Sequence, residues 1–173
     1  MKKKIFVFFI LMIGIISLSV PVYAYKQTLS SGASRSYQSG TLYNGFNTNS
    51  NVTMGTIFTN YKVTHEGHSY SRWTGYNPYN ADKIIQHDNF YWNGIGGLSL
   101  DVGTSGVGIG ISSDSKSVTF SLEVQNSRRI DHYYSGVKGN RWIIHGTGQT
   151  ITTTYQFGTT FISINASDSN VVW

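Results

Sequence analysis

His65-Glu66-Gly67-His68 brings two histidines within four residues, and imidazole is the commonest side-chain metal ligand. The spacing is not HExxH, which sets both rings on one face of a helix. Two histidines flanking a tight turn would need a third ligand from elsewhere, so the segment reads as a polar hairpin tip and no metal site is expected. Serines are plentiful and there are five histidines, but no GxSxG elbow singles out a nucleophile. Eight acidic residues include no close pair, and Asp88 with Asp101 or Glu123 would be an arbitrary choice for a glycosidase. The absence of cysteine removes thiolate nucleophiles, zinc-thiolate sites and iron-sulfur clusters. No catalytic residue and no cofactor is expected, and a secreted hydrolase stands last among the functional alternatives.

Aromatic side chains carry more of the chemistry. Trp73, Tyr76, Tyr79, Phe90, Tyr91 and Trp92 crowd into one stretch, several of them in loop-forming sequence. A ring held in a loop can stack on a sugar or sit at a membrane interface, because it is apolar with a polar edge. The expected binding residues are Trp73, Tyr76, Tyr79, Tyr91 and Trp92. Tyr76 and Tyr79, beside Pro78, are expected to be exposed, while Trp73 and Phe90 lean toward the core.

These residues follow a leader-like start, "MKKKIFVFFILMIGIISLSVPVYA". Three lysines, an apolar run and the small-residue site Val22-Tyr23-Ala24 are the parts of a secretory signal peptide, expected to be cleaved after Ala24. Loss of Lys2, Lys3 and Lys4 takes the net charge from +5 to about +2, too little for the clustered basic face of a nucleic-acid binder. The expected organisation is a signal peptide over 1–24, a loosely ordered segment with an edge strand over 25–51, and a β-sandwich domain over 52–173.

The remainder reads as β structure. "VTMGTIFTNYKVTH" and "HSYSRWTGY" suggest a hairpin turning at Glu66-Gly67, and "NADKIIQHD" offers one or two helical turns capped by Asn80. Leu98, Leu100 and Val102 share one face, after which the phase shifts so that Val107, Ile109 and Ile111 are apolar. A shift of one residue moves every side chain across the sheet, so a turn or bulge is expected at Gly103 to Gly106. With "SSDSK" as a second turn and Val118, Phe120, Leu122 and Val124 as the clearest strand, Gly96 to Asn126 reads as a three-stranded meander. "RIDHYY", "RWIIHGT", "TITTTYQF" and "TTFISIN" follow, separated by "SGVKGN", Gly148 and Gly158. The fold class is all-β, a single-domain antiparallel β-sandwich or open barrel.

In pattern, the alternating stretch resembles the hairpins that β-pore-forming toxins insert into membranes. Its break of phase argues against a lipid-facing strand, which alternates without interruption. Asp168 and Asn170 in the closing segment argue against an outer-membrane barrel on the same ground. The function expected is that of a secreted, extracellular, non-enzymatic bacterial protein binding at a cell envelope, bacteriocin-like or toxin-like. Its partner would be an envelope component: a lipid, a glycan or a peptidoglycan precursor. A carbohydrate or cell-wall binding module and a β-pore-forming protein are the alternatives. The intact mass of protein from culture supernatant should correspond to a chain starting at Tyr25; a species retaining Met1 would refute the cleavage site.

Overall fold

Inward and outward side chains alternate through nearly all of the chain that the structure describes. The structure, a computed structural model, describes residues 23–56, 59–75, 79–96, 99–102, 110–113 and 116–172. These form β1 (Ala24–Tyr37), β2 (Gly40–Thr53), β3 (Tyr61–Trp73), β4 (Ala81–Ile95), β5 (Ser99–Val102), β6 (Gly110–Ser113), β7 (Ser117–Ser127), β8 (Arg129–Arg141), β9 (Ile143–Phe157) and β10 (Thr160–Val171). There is no helix among the described residues. The strands make two antiparallel sheets, in the orders β1-β2-β3-β8-β5 and β10-β9-β4-β7-β6. Each sheet consists of four long strands and one edge strand of only four residues. The protein is a two-sheet β-sandwich.

The interior is apolar at its two ends, and between them buried polar groups lie beside a smaller apolar cluster of Leu29, Phe46, Ile151 and Ala166. One cluster gathers Val63, Phe90, Trp92, Val118, Phe120, Tyr134, Val137 and Ile144 among others, and the other gathers Leu42, Trp73, Ile84, Ile130, Tyr155 and Ile164. Leu122 packs against both. Between them, Asn44, Thr48, Ser50, His65, Ser69, Ser71, Gln86, Asp88, His132, Thr147, Gln149 and Thr153 are all buried. Burying such groups without hydrogen bonds would cost about 1–3 kcal/mol each, so they must find partners across the gap between the sheets.

That polar belt explains where the fold departs from the pattern of apolar residues. Residues 25–51, expected to be a loose start with an edge strand, lie in two full strands paired from Ala24–Thr53 to Tyr37–Gly40. Their alternation is hard to see because β2 turns Asn44, Thr48 and Ser50 inward. The expected helical turns in "NADKIIQHD" are part of β4, whose inward side chains are Ile84, Gln86, Asp88 and Phe90. Two polar members in that row hide the period of two.

The hairpin expected at Glu66-Gly67 is also absent, since β3 runs straight through it. The glycine marks a bulge instead: one residue separates paired His65 and Gly67, while two separate Val137 and Tyr134 on β8. Gly136 takes the extra place with φ of 71°, in the left-handed region that glycine enters freely. Apart from that bulge, "SGVKGN" continues β8 and Gly148 continues β9; of the expected separators only Gly158, with φ of 58°, sits in a turn.

The stretch from Gly96 to Asn126 is not a three-stranded meander. β5 pairs with β8 in one sheet, whereas β6 pairs with β7 in the other, so the two short arms close the same side of the sandwich from opposite sheets. The expected turn at Gly103 to Gly106, with Val107 and Ile109, lies outside the described residues. Phe120 is fully buried and Leu122 partly so, as the alternation of that strand suggests. On the opposite side, β1 and β10 approach through side chains: the Ser30 amide donates to the Asp168 carboxylate at 2.9 Å, Gln27 to the Val171 carbonyl at 2.9 Å and Asn170 to the Thr28 carbonyl at 3.1 Å. Asp168 and Asn170 thus close a sandwich edge.

Burial holds the His65 imidazole neutral, with its pKa lowered to about 3. Thr147 Oγ1 donates to the Tyr91 carbonyl, so His65 Nε2 donates to Thr147 Oγ1 and Nδ1 accepts from Ser50, each at 2.8 Å. In the unfolded chain the ring takes up a proton near its ordinary value of about 6.5. Its contribution to stability is therefore complete above about pH 6.5 and is lost as the pH falls toward 3, at up to about 1.4 kcal/mol per pH unit. Urea unfolding between about pH 6 and 4 should show this slope, and His65→Gln should flatten it; an unchanged slope would assign the titration elsewhere.

Candidate functional site

The densest cluster of reactive groups is Asp88 with His132, on the facing strands β4 and β8. His132 Nδ1 lies 2.5 Å from Asp88 Oδ2, and Ser69 donates to the same oxygen at 2.6 Å. Serine, histidine and aspartate are all present, but the relay is not catalytic in form: the serine reaches the carboxylate, not the imidazole. His132 is 2% exposed and Asp88 0%, and the His132 ring packs against Phe120 and Tyr134. The cluster joins the sheets and offers no surface to a substrate.

His65 and His68 are separated by the pleat. His65 points inward and His68 outward, where it meets Asp131 at 2.9 Å and stacks on Tyr133 at 4.3 Å and Tyr70 at 5.9 Å. The two rings cannot converge on one ion, and among the described residues no group of three or more His, Asp or Glu side chains does so. Burial raises the Asp131 pKa, but hydrogen bonds from Arg129 and His68 outweigh it and hold the carboxyl below its ordinary value. The His68 stack is exposed at Tyr133, yet much of its ring surface is used within the stack.

At one end of the sandwich the arrangement is concave. Tyr37 and Phe157 each immediately precede a two-residue turn, Gln38-Ser39 and Gly158-Thr159. Their rings lie 4.9 Å apart, and Trp73 closes the group at 5.1 Å from Phe157 and 6.1 Å from Tyr37. The Trp73 indole donates to the Tyr79 carbonyl at 3.1 Å and lies so close to Gly75 that a Cβ there would meet it at 1.8 Å. Only glycine fits beside the indole. A recess of about 380 Å³ results, lined by Tyr37, Gln38, Trp73, Tyr79, Asn80, Asp82 and Phe157 among others. The Asp82 carboxylate accepts from the Gly158 amide, and Asn80 is tied to Asn126 at 2.9 Å, so the polar rim is held by neighbouring backbone.

Of the five residues expected to bind, the structure brings Trp73 and Tyr79 together here. Trp73 is nearly buried as the floor, and Tyr79 is 70% exposed. Tyr76 lies outside the described residues. Tyr91 lines a smaller recess of about 260 Å³ with His145 and Asn170 at the far end of β4. Trp92 points the other way on the same strand and is fully buried, as the period of two requires. Tyr37 and Phe157 complete the recess and were not singled out in the sequence; an aromatic residue directly before a short turn was the available signal. Compared with family models, curated proteins and solved structures, the chain matches none.

Removing one partner of a buried hydrogen bond leaves the other group unsatisfied and costs about 1–3 kcal/mol. His132→Ala should lower the free energy of urea unfolding by about that much, and a change under about 1 kcal/mol would show that the Asp88–His132 pair is not what holds the sheets.

Proposed function

We propose that this is a secreted, non-enzymatic protein that binds at a cell envelope, and that the ligand is a glycan received in the terminal aromatic recess. A sugar ring offers an apolar face of C–H groups and a rim of hydroxyls. Aromatic side chains suit the first, and fixed amide and carboxylate groups suit the second. The recess supplies both, with Tyr79, Tyr37 and Phe157 as rings and Gln38, Asn80 and Asp82 around them. The leader-like start of the chain supports export, and the placement of the recess on turns supports binding, because ligand contacts gather on loops carried by a rigid scaffold.

Tyr79 carries the reading, being the exposed ring on a segment whose backbone is held by Trp73. Purified full-length mature protein should sediment with peptidoglycan and with cell-wall polysaccharide. Tyr79→Ala should weaken that binding by about tenfold or more while leaving the urea midpoint in place. Undiminished binding by Tyr79→Ala would overturn the proposal. Dye release from protein-free liposomes, with no retention on glycan, would instead support the toxin-like or pore-forming alternative.

A further inference from the structure

A second recess, of about 350 Å³, adjoins the first and shares Trp73 with it; Arg72, Thr74, Arg128 and Arg129 make up the rest of its lining. We infer that the glycan is anionic: its sugar lies in the aromatic recess, and its phosphate or carboxylate lies on these arginines. The inference rests on the glycan-binding reading of the first recess.

Register explains why the arginines converge. Arg72 and Arg129 are direct partners across β3 and β8, and like charges directly opposite each other on a sheet are destabilising. Arg129 is offset by Asp131, to which it donates at 2.7 Å, and Asp131 also takes His68. Arg72 is exposed, and no carboxylate or carbonyl among the described residues partners its guanidinium. Arg128, the residue linking β7 to β8, is pinned in place: its guanidinium donates to the Gly75 carbonyl, and its own carbonyl accepts from the Trp73 amide at 2.8 Å. Asp131 is the carboxylate on this side, while Asp82 faces the aromatic recess across Trp73. Three guanidiniums against one carboxylate leave the recess positive. Guanidinium forks match phosphate and carboxylate oxygens in pairs, and a bound oxyanion would relieve the repulsion between Arg72 and Arg129.

Binding of the full mature chain should be measured against a sugar-substituted polyglycerol phosphate, a uronic-acid polysaccharide, a neutral polysaccharide, and phosphatidylcholine vesicles with and without phosphatidylglycerol. Arg72→Gln and Tyr79→Ala are the variants, each checked for an unchanged urea midpoint. At least one anionic glycan should bind more tightly than the neutral one. Arg72→Gln should weaken that binding by about tenfold or more, make it less sensitive to salt, and leave the neutral glycan unaffected. The phosphate and uronate arms identify which oxyanion is read. If Tyr79→Ala loses glycan and Arg72→Gln loses nothing, the anionic inference falls and the glycan reading stands. Failure to bind any glycan, or binding only to phosphatidylglycerol vesicles, overturns both.

Discussion

One oriented chain of hydrogen bonds holds the two sheets in register. Asn44 donates to Thr153 at 3.3 Å, and Ser71 donates to Gln86 Oε1 at 2.6 Å. Ser71 has then spent its proton, so the hydroxyl of Thr153, 2.7 Å away, donates to it. Gln86 Nε2 passes the sense on to Ser69 at 2.9 Å, and Ser69 passes it to Asp88 at 2.6 Å. His132 meets the same carboxylate from β8. The series ends on the carboxyl group of Asp88, which Gln86 Nε2 also reaches at 3.1 Å, and hydrogen bonds linked in this way polarise and strengthen one another. Because the links alternate between β2 or β3 on one side and β4 or β9 on the other, a slip of either sheet by one residue would leave several buried groups unpaired at once.

Two further linkages run beside it. Thr48 and Tyr134 both bond Gln149 Oε1, the tyrosine at 3.0 Å, and His65 spans Ser50 and Thr147. Burial raises the pKa of Tyr134 above its ordinary value, keeping the phenol a donor. With the middle of the sandwich shared between polar links and the small cluster of Leu29, Phe46, Ile151 and Ala166, the larger apolar clusters lie at its two ends. Trp73, Tyr37 and Phe157 are thereby placed beside the turns, where a floor of aromatic rings can open to solvent between Gln38, Tyr79 and Gly158.

The sequence is most legible where alternation is apolar. Val118, Phe120 and Leu122 reveal β7 directly, and Ile162 and Ile164 do the same for β10. It misleads where an inward residue is polar: Gln86 and Asp88 let β4 pass for a short helix, and Asn44, Thr48 and Ser50 let β2 pass for loop. Glycine misleads in a second way. Gly67 and Gly136 together form a bulge between neighbouring strands, which looks in one dimension like two separate turns. At the candidate site Trp73 and Tyr79 are visible as aromatic residues near Pro78, whereas Tyr37 and Phe157 come from turns about 120 residues apart in the sequence, and no local pattern joins them.

By itself the sequence determines that this chain is β throughout its body, that it does without disulfides, and that its strands end at residues such as Gly158. These follow from backbone preferences and side-chain period, which act over a few residues. Tertiary structure alone decides which polar side chains turn inward, since a serine or asparagine on a strand is stable facing water or facing a partner. Asn44 faces Thr153 and the carbonyl of Ile164 at 3.0 Å, a residue far along the chain. Only when both sheets are assembled does that partner exist, and with it the pairing of Arg72 against Arg129 and the enclosure of the terminal recess.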